Sequence, residues 1–181
     1  MGVCINLKYP TASQRSNLQI SNTSDAHLFF ERILKLVYDT ATRRRSIIFS
    51  SFNPSICSII NWKQPNYGVF FGTRCGYVAQ EGPWGQSVEE TDIRCNSIKE
   101  AVKFAKSSNL LGLICEAAPI VNDSYLTLQV SSVIIINRIK ESGLILATCG
   151  SDNEKSSNIK KQELMGVDAI ISHRILRYNN S

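Results

Sequence analysis

The opening run Val3-Cys4-Ile5-Asn6-Leu7-Lys8-Tyr9 alternates apolar and polar residues as a half-buried strand does, and this period of two sets Asn6 and Lys8 on one face. A metal site at the end of such a strand asks for a carboxylate, because a hard cation takes charged oxygen ligands. Position 6 offers an amide instead. Other residue types able to do chemistry are sparse or badly spaced. The chain has two histidines, His27 and His173, and six cysteines with no C-x-x-C pair and no Cys/His cluster, so a zinc site is not expected. Cys4, Cys57, Cys115 and Cys149 sit in apolar runs, where a reduced thiol behaves as a small hydrophobe, while Cys75 and Cys95 flank a loop. Neither G-x-G-x-x-G nor G-x-x-x-x-G-K-S/T follows any strand, which leaves nucleotide readings without their phosphate cradle.

The elements that must position these groups are legible as a repeating pattern. β-branched runs at Val3 to Tyr9, Ser46 to Phe52, Tyr67 to Thr73, Leu110 to Glu116, Leu144 to Cys149 and Asp168 to Ser172 alternate with segments of helical period. Ala26, Phe29, Phe30, Ile33, Leu34, Val37 and Ala41 recur every three or four residues, with Thr23 or Ser24 as N-cap. Asn53-Pro54 announces a second helix, running to about Lys63, and Ser97-Ile98-Lys99-Glu100 has the spacing of a capping box. A fourth helix is expected over much of Ser124 to Glu141, although the β-branched run Val133 to Ile136 leaves that segment ambiguous. The last covers about Ser157 to Met165 and stops at Gly166. Between Arg74 and Asn96 lies a loop too long for an ordinary connection, in which Trp84 is a candidate anchor for a protein partner.

Composition narrows the class. With 181 residues and 43% hydrophobic content the chain can bury one core, so a single domain is expected. The net charge of +5 is mild and lacks a basic stripe interleaved with aromatics, Arg43-Arg44-Arg45 being a local cluster, so nucleic acid is not an expected partner. No apolar stretch reaches the roughly 18 residues of a membrane span, and the start lacks the features of a signal peptide, so an intracellular site, cytoplasmic or nuclear, is expected. Near-continuous apolar strands each followed by a helix imply an α/β protein with a parallel sheet. An open doubly wound sheet and a (β/α) barrel both satisfy this, and a barrel normally takes eight units and about 250 residues.

The stretches Cys4-Ile5-Asn6-Leu7-Lys8-Tyr9-Pro10, Arg45 to Pro54, Lys63-Gln64-Pro65-Asn66-Tyr67, Leu110-Leu111-Gly112-Leu113-Ile114 and Gly166-Val167-Asp168-Ala169-Ile170-Ile171 resemble the later portion of a glycerophosphodiester phosphodiesterase domain. The resemblance implies a partial TIM-type (β/α) barrel whose six βα units match the family's third to eighth strands, as a single domain over residues 1–181 that is incomplete at its N-terminus. Family members hydrolyse glycerophosphodiesters with a divalent metal and paired histidines, so no cofactor is expected unless the chain is active, when it would use Mg²⁺ or Ca²⁺. Within the family, Asn61 to Tyr67 followed by Ser97 to Val102 is most similar to a fungal phosphate-system regulator that inhibits a cyclin-dependent kinase. That similarity implies a protein partner, with a cyclin-dependent kinase complex as the expected kind.

Departures from the family pattern fall at the chemistry. The resemblance places Asn6 where the family has the metal-holding glutamate of a Glu-x-Lys motif, and only Lys8 of that motif is kept. The catalytic histidines of the family belong to strands preceding this chain. His27 reads as a helix-surface residue, and His173 stands near the last strand end, where barrel sites gather. Lys8 and Arg74 are candidates to bind a phosphate, since anion affinity needs donors and not a nucleophile. Ser50, Ser51, Thr73, Glu116 and Thr148 stand at other strand ends and, with His173, are candidates to line the pocket. The expected function is a catalytically silent phosphodiesterase-like module of a phosphate-responsive regulator, with an active glycerophosphodiester hydrolase as the alternative.

Overall fold

The computed structural model describes residues 2–11, 15–16, 19–21, 23, 25–41, 45–75, 92–122 and 131–172. Along them run β1 (Val3–Asn6), α1 (Ala26–Thr40), β2 (Ile47–Ser51), α2 (Pro54–Lys63), β3 (Gly68–Thr73), α3 (Ile93–Asn96) and α4 (Ile98–Ser107). There follow β4 (Gly112–Glu116), α5 (Ala118–Val121), α6 (Ser132–Glu141), β5 (Ile145–Cys149), a 3₁₀ turn (Ser151–Glu154), α7 (Ser156–Leu164) and β6 (Ala169–Ile170). Arg43, Arg44, Trp84 and His173 lie outside the described residues.

Local sequence accounts for most of these boundaries. α1 is capped by Asp25, whose carboxylate accepts from the Leu28 amide at 3.0 Å, and not by Thr23 or Ser24. An acid at this position also meets the positive end of the helix. Asn53 caps α2 through the Ser55 amide at 3.0 Å, with Pro54 in the first turn where its missing N–H costs nothing. Ser97 caps α4 as its box spacing predicts. Val133 to Ile136 are helical: Ile135, Ile136 and Ile139 form the buried stripe of α6, and burial of that stripe prevails over β-branched propensity. The described part of this helix begins at Ser132, eight residues after the expected start.

The strands lie side by side in chain order, β1-β2-β3-β4-β5-β6, and each pairing among the described residues is parallel. That order decides between the two architectures. A doubly wound sheet reverses direction at a switch point and carries helices on both faces, whereas strands taken strictly in turn with right-handed crossovers carry their helices on one face. The other face curls inward, giving the partial TIM-type barrel expected from the sequence.

Two apolar clusters mark the two faces. On the helix side Phe49, Phe71, Leu113 and Leu146 pack against Phe30, Ile60, Ala101, Ile135 and Ile139. Full burial of each large side chain contributes about 1.5–3 kcal/mol, so this layer supplies most of the stabilisation. The inner cluster is smaller and consists of Phe70, Ile114, Ala147 and Cys149, flanked by Cys4, Ile48, Ile145 and Ala169. Alternation along each strand then places Asn6, Ser50, Gly72 and Glu116 on the inner side, and Ser51, Thr73, Cys115 and Thr148 on the helix side. Among the described residues no helix is long and apolar enough to cross a membrane.

Candidate functional site at the inner rim

The carboxyl ends of the strands form a rim, and on its inner side the register pairs Asn6 of β1 with Ser50 of β2. Ser50 is buried, its hydroxyl donates to Asn6 Oδ1 at 3.3 Å, and Cys4 Sγ lies 3.3 Å from the same hydroxyl. Burial pushes the Cys4 thiol up, against the opposing effect of the Ser50 contact. Lys8 follows Asn6 on the same face and is exposed to solvent. Arg74 continues β3 by one residue; the register sets Lys8 level with Gly72, so the Lys8 and Arg74 backbones are two strands and two residues apart, roughly 12 Å, a span that two long side chains can close on one phosphate.

Glu116 ends β4 beside Arg74, as the pairing of Thr73 with Cys115 requires. It is 6% exposed, and among the described residues no hydrogen-bond donor reaches its carboxylate. Burial pushes the carboxyl up to about 7; the charge of Arg74 opposes this rise and that of Asp152 adds to it. Gly150 faces the carboxylate from the end of β5 with φ +113, and a β-carbon there would stand 2.7 Å from Glu116 Oε2. Glycine at this position both permits the backbone and leaves room for the acid.

Ser51 and Thr148 do not line this rim. The Ser51 hydroxyl donates to the Leu7 carbonyl at 2.8 Å and accepts from the Asn53 amide at 3.1 Å, tying β1 to the start of α2. Thr148 donates to Gln162 Oε1 and accepts from Asn153 Nδ2, while Gln162 Nε2 donates to Asn153 Oδ1 at 2.9 Å. All three are fully buried between β5 and α7, and Asn153 Nδ2 also reaches the Ile171 carbonyl at 2.9 Å. This network fixes the turn that carries Gly150 and Asp152. Thr73 likewise faces the helices and donates to the Cys95 carbonyl at 2.9 Å. His27 is on the exposed face of α1, and His173 is outside the described residues.

Sequence reasoning named Asn6, Lys8, Arg74 and Glu116 but missed Asp152, Asn153 and Gln162. The segment after Cys149 is rich in Ser, Asn and Lys, and nothing in it marks two buried amides. A cavity of about 600 Å³ over the amino ends of α1 and α2, walled by Tyr9, Pro10, Asn53, Pro54, Asp92 and Arg94, holds none of the expected site residues.

The donor set at the rim does not suit a divalent cation. Asn6 Oδ1 is engaged by Ser50, and among the described residues no three His, Cys, Asp or Glu side chains converge as metal ligands. Arg74 beside the buried carboxylate opposes a cation further. Lys8, Arg74 and the Ser50 hydroxyl instead face the same inner side of the sheet, and two cations with a hydroxyl are donor chemistry suited to an anion.

Comparison with known proteins agrees with the fold. A profile of the glycerophosphoryl diester phosphodiesterase family matches residues 2–177. A glycerophosphocholine phosphodiesterase of Candida albicans is 33% identical over 177 residues, which are 97% of this chain and 14% of that protein. The ankyrin repeat protein nuc-2 of Neurospora crassa is 30% identical over 195 residues, covering 88% of this chain and 17% of its own length. An Oleispira antarctica phosphodiesterase, solved with the product sn-glycerol-3-phosphate, shares the fold with a TM-score of 0.58 at 16% identity, over 95% of this chain and 51% of that one. The chain thus spans about a seventh of the curated Candida relative and half of the solved phosphodiesterase. With strand order and family profile in agreement over nearly all of its length, the chain belongs to the glycerophosphoryl diester phosphodiesterase family.

Proposed function

We propose that this chain is a phosphate-binding module of the family that lacks its metal chemistry and acts through protein contacts in a phosphate-responsive regulator. Asn6 carries this reading. The resemblance sets it where the family holds its metal, and here its oxygen accepts a hydrogen bond from Ser50. An amide supplies a dipole where a carboxylate supplies a charge, so Mg²⁺ or Ca²⁺ is held far more weakly. Lys8 and Arg74 need no metal to attract a phosphate monoester or diester. The regulatory side rests on the sequence resemblance of Asn61 to Tyr67 and Ser97 to Val102, and the partner that resemblance implies is a cyclin-dependent kinase complex.

Calorimetric titration of the chain with sn-glycerol 3-phosphate and with inorganic phosphate tests the anion site. Lys8→Ala and Arg74→Ala each weaken binding roughly tenfold, as expected for one charge-assisted hydrogen bond. Binding unchanged in both variants removes the phosphate site from the proposal. The relatives named glycerophosphocholine phosphodiesterases favour a second reading, in which the chain is part of a metal-dependent hydrolase using Mg²⁺ or Ca²⁺. Asn6→Glu in a complete barrel separates the two: a gain in metal affinity together with diester hydrolysis supports the hydrolase, and a gain in neither supports the silent module.

A further inference from the structure

On the helix side of the same rim, Cys75 and Cys115 bring their sulfur atoms to 3.0 Å with 5% and 0% of each residue exposed. Local structure holds them there. The Arg74 amide donates to the Cys95 carbonyl at 2.7 Å, and the Cys75 amide donates to Thr73 Oγ1 at 3.3 Å. These bonds turn the chain back just past β3 and set Cys75 at φ +53, a region that residues with a β-carbon seldom occupy. Cys115 is fixed by the β4 ladder, opposite Thr73 in register. Both backbones are therefore ordered in the contact geometry before any bond forms, which makes their effective concentration high.

We propose that Cys75 and Cys115 form a thiol-oxidation site that a hydroperoxide converts into an intramolecular disulfide. With hydrogen peroxide, the Cys75 sulfur attacks one peroxide oxygen, the O–O bond breaks, and the departing oxygen takes the thiol proton and leaves as water. Cys75 becomes a sulfenic acid. The Cys115 sulfur then attacks that sulfur; the S–S bond forms, the S–O bond breaks, and the hydroxyl leaves as water with the Cys115 proton. Two thiols lose two electrons and two protons, and one peroxide becomes two waters. A disulfide of about 2.05 Å needs the sulfurs to approach by roughly 1 Å.

Cys75 is the first to react because it is the more exposed of the two. The hydrogen bond with Cys75, followed by burial, pushes the Cys115 thiol well up, so Cys115 remains a thiol until its neighbour is oxidised. Burial also favours a small oxidant over a bulky disulfide reagent. The neighbouring thiols are directed elsewhere: Cys57 Sγ donates to the Ser51 carbonyl and Cys95 Sγ to the Phe52 carbonyl, each at 3.3 Å. The bond joins the residues next to Arg74 and Glu116, and so fixes these two rim charges side by side.

The test treats the folded chain with hydrogen peroxide, alkylates the remaining thiols under denaturing conditions, and reads the digest by mass spectrometry. The expected result is a Cys75–Cys115 linked peptide, two hydrogens lighter than the pair of thiol peptides and lost on reduction with dithiothreitol. In Cys75→Ser, Cys115 is expected to be recovered as an alkylatable thiol after the same treatment. Recovery of both cysteines as free thiols in the unsubstituted chain overturns the proposal. So does a different pairing, or oxidation of Cys75 to sulfinic acid with Cys115 unlinked.

Discussion

Replacing Glu116 by glutamine removes a carboxyl that burial raises from 4.5 to about 7. Between those values the unfolded chain has released the proton and the folded chain keeps it, so stability falls as pH rises through the window and levels off above about 7. The shift corresponds to about 3 kcal/mol over the window, with a slope of up to roughly 1.4 kcal/mol per pH unit. Glutamine does not titrate. It leaves a buried amide short of partners at a cost of about 1–3 kcal/mol, and that cost is the same at every pH. Urea unfolding of both proteins at pH 5, 6, 7 and 8 separates the two effects, because other titrating groups are common to both and cancel in the difference. From pH 5 to pH 8 the variant gains about 2.5 kcal/mol relative to the parent chain. A difference that stays flat across this range would refute the reasoning, since Glu116 would then ionise in the folded state as readily as in the unfolded one.

Asn53→Ala removes both the α2 cap and the 3.2 Å bond from Asn53 Nδ2 to the Tyr9 carbonyl, and lowers stability by about 2 kcal/mol in a urea titration. Gln162→Leu keeps the volume but strands Thr148 and Asn153 in the buried network, costing about 2–4 kcal/mol in the same assay. Gly72→Val drives a side chain into the space taken by the Phe52 ring; overpacking of this kind costs about 1–3 kcal/mol and lowers the thermal midpoint.

The fold was legible because each strand is a short β-branched run bounded by turn residues, and two of the helices announce their own cap: Asn53 before Pro54, Ser97 before Ile98. Strict alternation of strand and helix implied a parallel sheet, but the order of strands is a non-local property, and residue runs alone left two architectures open. At α6, local propensity and buried periodicity pointed in different directions, and Ile135, Ile136 and Ile139 settled the conflict by packing. The rim was half legible. Lys8, Arg74 and Glu116 are charged residues at apolar strand ends and draw notice for that reason. Ser51 and Thr148 were assigned to the rim because strands buried on both faces read as continuous apolar runs, which hide the parity that tells inner side from helix side. Gln162 escaped notice because it sits among lysines, a glutamate and an asparagine that read as a solvated helix.

Incubation of the chain with glycerophosphocholine in the presence of Mg²⁺ or Ca²⁺, followed by measurement of released choline, tests most directly whether this chain, with Asn6 at the family's metal position, is catalytically silent. Release no greater than the buffer blank, with or without a chelator, is the predicted result. Chelator-sensitive release that disappears in Lys8→Ala would contradict it and assign the chain to the working hydrolases of its family.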